Sequence, residues 1–273
     1  MKKNTEKDTE KYQNYVNILG IKVLSTTTPH LLASVRENIT HNYEFGNRSR
    51  RLSIMTPNPE LVLASTKNKE LKVALNSANF SVPDGVGLNY ASKFLFGTSL
   101  NIIPGRKLFL ELIGLANKKG WRVFFLGGYA GEAEKAAENL RKNYKSVKIE
   151  TFAGPWLNNH AEPVLDKDKV LQKETFQLIN KFEPKLLFVA FQNPKQEIWV
   201  YKNLKYLNVG GAMTVGGTFR YIAGMSKLPP AWLASLGLEW LWRLITEPKR
   251  IGRIFNAFPL FPLRVFWFKV TGR

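Results

Sequence analysis

WRVFFLGGYAGEAEKAAENL, residues 121–140, reads as a strand, a glycine turn and a helix. The same alternation extends in both directions. Further strands are predicted over 51–56, 147–152, 185–191 and 207–213, beside 121–127 itself. Helices are predicted over 59–67, 86–97, 105–119, 130–144, 169–182, 195–204 and 217–224. In 105–119, Leu108, Leu112, Ile113 and Leu115 form a helical apolar stripe that Gly120 closes as a C-cap. Strands of continuous Val, Leu and Phe, separated by helices, imply a buried parallel sheet with helices on both faces, an α/β protein.

Composition narrows the class. The chain has 273 residues and 44% hydrophobic residues, enough for a large core. It has no cysteine, which excludes disulfides, thiolate catalysis and Cys-ligated metal. Residues 1–13 read as a flexible, solvated tail without the apolar core of a secretory signal. No apolar run reaches the roughly 18–20 residues that span a bilayer. A cytoplasmic location, or the cytoplasmic face of a membrane, is therefore expected. The formal net charge is +19, which suits nucleic acid, anionic lipid or anionic small substrates. No zinc-finger spacing and no aromatic RNA-binding strand accompanies that charge, so nucleic acid is not the expected partner.

Three loops at the ends of apolar runs carry polar or glycine residues. Thr56 and Asn58 follow LSIM, Gly127 and Gly128 follow WRVFFL, and PKQE (194–197) follows LLFVAF. Such loops are how an open α/β sheet builds one ligand crevice. A fourth candidate is Asp84, a carboxylate between Pro83 and Gly85 just before a helix, read either as a turn or N-cap residue or as a group exposed at an edge. The Gly127–Gly128 turn reads either as a plain βα turn or as a diphosphate site at a helix N-terminus. It is not GxGxxG, and no acidic residue follows where a ribose would need one, so a nicotinamide oxidoreductase has little support. Gln196 and Glu197 are expected to project from a first helical turn at the crevice mouth. Asp166-Lys167-Asp168 has a D-x-D form but lies in the polar stretch 153–168, which reads as a solvated loop. His30, His41 and His160 are scattered, so no metal site and no cofactor is expected.

The last fifty residues differ. Residues 220–273 hold nine Lys and Arg against two Glu, and four of the seven Trp. Leu238, Leu241, Trp242 and Ile245 form one amphipathic stripe, and Ile251, Ile254, Phe255 and Phe258 another, with Pro248 between them. FPLFPLRVFWFKVTGR then follows, broken by Pro259 and Pro262. The helices read either as packed on the core or as an appendage lying on a membrane surface.

In order along the chain, TPNPE (56–60), PDGVGL (83–88), FLGG (125–128), PKQE (194–197), GGTF (216–219) and LGLEWLWRLITEPKR (236–250) resemble the WecG/TagA/CpsF family of bacterial glycosyltransferases. The resemblance runs from about residue 18 to about residue 265. It implies a Rossmann-like catalytic domain over 14–219 and a membrane-associating appendage over 220–273. It implies inverting transfer of a sugar, N-acetylmannosamine in the best-known case, from a UDP-sugar to an undecaprenyl-diphosphate-linked sugar, without a bound metal. The products serve teichoic acid, capsule or exopolysaccharide synthesis. It makes Asp84 the general base, lines the pocket with Thr56, Asn58 and Gln196, and directs Arg243, Arg250 and Arg253 at substrate diphosphates. Three positions depart from the family pattern: Ile102 stands where an Arg is usual, leaving Arg106 as a substitute; Gln192 replaces a Gly; Arg220 replaces an Asp. The partners implied are the UDP-sugar, the polyprenyl-diphosphate-linked acceptor and the membrane surface, with a homo-oligomer left open. Two other readings of the residues stand beside it: a non-catalytic basic protein binding nucleic acid or membrane, and a Rossmann oxidoreductase.

Overall fold

A computed structural model describes residues 14–44, 51–230, 233, 239–246 and 251–272. The predicted tail, 1–13, lies outside them, as do Leu238, Pro248 and Arg250. A six-stranded sheet is formed by β3 (Leu52–Met55), β4 (Phe80–Ser81), β5 (Arg122–Gly127), β6 (Lys148–Phe152), β7 (Leu186–Ala190) and β8 (Gly211–Thr214). Their order is β4-β3-β8-β7-β5-β6, and every pairing is parallel. A separate antiparallel hairpin, β1 (Asn14–Ile18) and β2 (Ile21–Ser25), precedes them.

The helices before the appendage are α1 (Thr28–Glu44), α2 (Pro59–Ser65), α3 (Lys69–Ser77), α4 (Val86–Phe96), α5 (Gly105–Lys119), α6 (Glu132–Asn143), α7 (Asp166–Phe182), α8 (Lys195–Asn203) and α9 (Thr218–Ile222). Alternation along each strand divides the core between the two faces of the sheet. On one face Phe124, Leu126, Leu187 and Val189 meet Leu61 of α2, Leu71 of α3, Leu88 of α4, Ile179 of α7 and Trp199 of α8. On the other, Val123, Phe125, Leu186 and Phe188 meet Val35 of α1, Phe109 of α5, Ala136 of α6 and Phe219 of α9. Phe109 meets the edge of Phe188 at 4.7 Å, and Phe125 stacks on Phe219 at 4.8 Å, between ring centroids. The fold is a Rossmann-like α/β sandwich: a parallel sheet with helices on both faces, as the alternation predicted, of the type that the resemblance implied.

Several expectations change at this level. The hairpin, α1 and α3 were not predicted; the turn Leu19-Gly20 lacks an Asn-Gly signature. The predicted strand 207–213 begins only at Gly211, because Leu204–Tyr206 form a 3-10 turn and Asn180 Oδ1 accepts from Asn208 N at 2.6 Å. Residues 166–168 are not a solvated loop, because α7 starts at Asp166. Asp168 is only 2% exposed, and its two oxygens accept from Trp156 N and Leu165 N, each at 3.0 Å. Backbone donors left open at a helix start hold that carboxylate inside. Asp166, by contrast, faces solvent and pairs with Lys169.

The appendage is helical: α10 (Glu239–Thr246), α11 (Ile251–Phe255) and α12 (Phe261–Thr271). Pro259 lies at a kink where Phe258 leaves helical geometry, which ends the predicted second stripe early. Pro262 does not break the final segment; it sits in the first turn of α12, where its missing N–H costs no helical bond. Phe261 and Val265 of α12 are buried in the layer that holds α2 and α4.

Candidate active site

The C-terminal ends of the strands carry the loops that the sequence singles out. Met55 ends β3, and its carbonyl accepts from Val82 N at 2.8 Å, so the chain leaving β4 runs beside the TPNPE loop. Pro57 O then accepts from Asp84 N at 2.9 Å. Asn58 is the N-cap of α2, its Oδ1 accepting from Leu61 N at 2.8 Å. A Cβ placed on Gly87 would stand 2.7 Å from Pro59 Cγ, so glycine at this point lets α4 close on the TPNPE loop. Asp84 is left half-buried at the start of α4. Pro83 O accepts from Ile103 N at 3.0 Å, which brings in the segment leading to α5. Gly105 packs against Thr56, where a Cβ on the glycine would stand 3.1 Å from Thr56 Oγ1. Arg106 follows, its guanidinium carbon 6.0 Å from the ring centroid of Tyr221, which lies on α9. Thr56, Asn58, Asp84 and Arg106 are thus drawn together beyond the C-terminal ends of β3 and β4.

A second group lies between β5 and β7. The chain leaves β5 toward β6 on one side and leaves β7 toward β8 on the other, a topological switch point where open α/β sheets take ligands. Gly127 has φ 88°, and a Cβ there would lie 2.8 Å from Ala190 O, so the turn needs glycine for both its conformation and its contact with β7. Gly128 N donates to Ala190 O at 2.9 Å. Glu132, buried in the first turn of α6, accepts from Tyr129 N at 3.1 Å.

Across the switch point, Gln192 occupies the left-handed region at φ 65°, a conformation glycine adopts freely. Its side-chain amide pairs with Tyr129 Oη. Gln196 and Glu197 do not project at the crevice mouth, since they are 2% and 1% exposed. Gln196 Nε2 donates to Asn193 Oδ1 at 2.8 Å and to Glu197 Oε1 at 2.6 Å, while its Oε1 accepts from Gly216 N at 3.0 Å. Both ends of this carboxamide therefore tie the β7 loop to the β8 loop. Their need for hydrogen-bond partners draws the first turn of α8 inward.

Three further groups at this edge are not singled out by the sequence. Ser81 Oγ ends β4 and Thr214 Oγ1 ends β8; both are buried without a hydrogen-bond partner. A hydroxyl residue closing an apolar strand is the signal that would have marked them. Glu132 is the third, and its carboxylate lies 4.0 Å from Arg220 Nε, itself a buried atom without a hydrogen-bond partner. A cation on α9 thus faces an acid on the neighbouring helix. Arg243 lies on α10 and Arg253 on α11, but their side chains, like Arg250, lie outside the described residues. No three His, Cys, Asp or Glu side chains gather as a metal site among the described residues.

A parallel α/β sheet with a switch point, glycine loops and a carboxylate turn at the C-terminal ends of its strands defines a Rossmann-like protein. The chain belongs to the WecG/TagA/CpsF family of glycosyl transferases, whose sequence profile matches residues 16–273. It is 28% identical over 247 residues to the N-acetylglucosaminyldiphosphoundecaprenol N-acetyl-beta-D-mannosaminyltransferase of Bacillus subtilis (strain 168), covering 89% of this chain and 91% of that protein. It is 30% identical over 251 residues to the protein of the same name from Staphylococcus aureus (strain NCTC 8325 / PS 47), covering 92% and 91%.

Proposed function

We propose that the protein transfers a sugar, N-acetylmannosamine first among candidates, from a UDP-sugar to a polyprenyl-diphosphate-linked sugar, with inversion and without a bound metal. The observation that carries this reading is the docking of the Asp84 turn on the TPNPE loop, at the far end of the sheet edge from the switch point. From β5 to β4 is four strand spacings, about 19 Å at about 4.8 Å each. That span suits an extended nucleoside-diphosphate sugar, with its nucleotide near Gly127 and its sugar near Asp84. The activity named for the two relatives supports the choice of sugar and acceptor.

In this reading Asp84 takes the proton of the acceptor hydroxyl as that oxygen bonds to the anomeric carbon. The bond from that carbon to the UDP oxygen breaks on the opposite face, and its electron pair leaves with UDP. Thr56 and Asn58 line the sugar end, and Gln196 holds the β7 and β8 loops in place. Arg106, with Arg243, Arg250 and Arg253 of the appendage, balances charge on the diphosphates. We assign 14–219 to catalysis and 220–273 to membrane association, noting that α9 bridges this division.

The test is transfer from a panel of UDP-sugars to a lipid-diphosphate-linked N-acetylglucosamine, read by mass spectrometry. Asp84→Asn is expected to lower turnover by about 100-fold or more while UDP affinity stays near that of the parent. Turnover is expected to be insensitive to EDTA. An Asp84→Asn protein with full turnover removes Asp84 from the chemistry, and loss of activity in EDTA overturns the metal-free route.

A further inference from the structure

The appendage is not alone in presenting aromatic side chains. α12 is apolar on two sides. Phe261, Val265 and Phe268 turn toward the core, whereas Leu263, Phe266, Trp267 and Val270 are exposed at i, i+3, i+4 and i+7. α4, an element of the sheet's own helix layer, continues this surface. Leu88 and Ala91 face its core, while Val86, Tyr90 and Phe94 follow one another at i, i+4 and i+8 on the outside, with Tyr90 65% exposed. The two helices join through Phe94 and Phe266, stacked at 6.3 Å between centroids. Lys269 Nζ lies 4.2 Å from the Phe94 ring centroid and donates to Phe94 O.

The charge on these segments has one sign. No Asp or Glu occurs from Val86 to Leu110 or from Pro248 to the C-terminus, while Lys93, Arg264 and Lys269 punctuate the two helices. Aromatic residues flanked by Lys and Arg suit the boundary between headgroups and acyl chains. A protein partner fits less well, since protein interfaces are depleted in Lys.

We propose that α4, together with α12, seats on the surface of an anionic bilayer, so that the membrane contacts the catalytic sheet layer itself and not the appendage alone. Asp84 precedes α4 by two residues. Whatever the tilt of α4, Asp84 then stands within about 22 Å of the headgroups, at about 1.5 Å of rise per residue from Val86 to Phe96 and about 3.5 Å for each of the two residues before them. A sugar on a membrane-anchored diphosphate reaches such a height without leaving the bilayer. Only the meaning of that distance rests on the transferase reading; the contact itself does not.

The absence of native cysteine allows a direct test on the full chain. Tyr90→Cys, Trp267→Cys and Tyr206→Cys are each labelled with an environment-sensitive fluorophore and mixed with vesicles of phosphatidylglycerol and phosphatidylcholine. Tyr206, an exposed aromatic in the 3-10 turn before β8, at the N-terminal ends of the strands and outside both helices, serves as the control. Labels at 90 and 267 are expected to shift to the blue and to lose about half their emission to quencher-bearing lipid, with 206 unchanged. If 267 responds while 90 behaves like 206, the appendage alone touches lipid and the proposal fails. A blue shift at 90 that grows with protein concentration without vesicles assigns the face to a second copy and also overturns it. Failure of the catalytic reading registers separately, as full turnover in Asp84→Asn.

Discussion

Arg220 places a cation beside the switch-point turn, and its charge is incompletely used. Its Nε is buried without a hydrogen-bond partner, and the nearest carboxylate oxygen of Glu132 is 4.0 Å away. Such a pair is too long for a strong hydrogen bond and leaves the guanidinium available to an anion at the crevice. Arg220→Ala is therefore expected to weaken UDP binding by about tenfold, the scale of one charge-assisted hydrogen bond, and to leave uridine binding unchanged. Calorimetric titration with both ligands distinguishes the outcomes. Equal loss for both would make Arg220 a prop for the pocket wall, and no loss would place the diphosphate elsewhere. Arg220 is visible in the sequence only as a departure from a family pattern. Its partner is not, because Glu132 lies 88 positions earlier and meets it only through the packing of α9 on α6.

Among the elements, α7 shows how close charges in sequence can have opposite roles. Asp166 and Asp168 look alike in the stretch EPVLDKDKV, whose polar character suggests solvent for both. Asp168 closes the backbone of Trp156 and Leu165 from a buried position, whereas Asp166 touches only Lys169 at the surface. Asp168→Ala is expected to destabilise the fold by about 2 kcal/mol through lost capping and unmet buried donors. Asp166→Ala should stay within about 0.5 kcal/mol. Urea unfolding measures both, and equal effects would make the D-x-D stretch a solvated loop after all. The same contrast explains what sequence could reveal. Strands β3, β5 and β7 were legible because continuous apolar runs suit a sheet buried on both faces, β6 as a short edge strand that alternates exposed and buried residues at its start, and α5 because its stripe and Gly120 mark its face and its end. Thr56, Asn58, Asp84 and the Gly127–Gly128 turn were legible as loops after strands. The inward turn of Gln196 depends on Gly216, twenty residues on, which a local pattern does not specify; the cap by Asp168 and the hairpin at Leu19-Gly20 are local, but Leu165 at the N-cap and Leu19-Gly20 in the turn lack the Ser, Thr or Asn and the Asn-Gly that mark such features.

At the scale of the whole molecule, the proposed membrane contact draws on the +19 charge and on the outward stripe of α12 through different physics. Attraction of Lys and Arg to anionic headgroups is screened over about 10 Å at about 0.1 M salt and about 3 Å at about 1 M. Burial of Leu263 and Trp267 in the interface is not screened, because it depends on apolar area. Vesicle affinity of the full chain is expected to fall by more than tenfold across that salt range, and to retain a residual part that phosphatidylcholine vesicles also capture. Leu263→Ser with Trp267→Ser should remove the residual part at every salt concentration while the thermal midpoint stays near that of the parent, since both side chains are already exposed. Deleting 220–273 would be a poorer experiment. It uncovers the core against which Phe261 and Val265 pack, and loss of binding would then be inseparable from loss of fold. Sedimentation with vesicles of the two compositions at both salt concentrations, beside a melting curve, separates the contributions. Binding that ignores salt would leave the basic excess without a role at the membrane, and a double variant that binds as before would make the outward stripe of α12 a bystander.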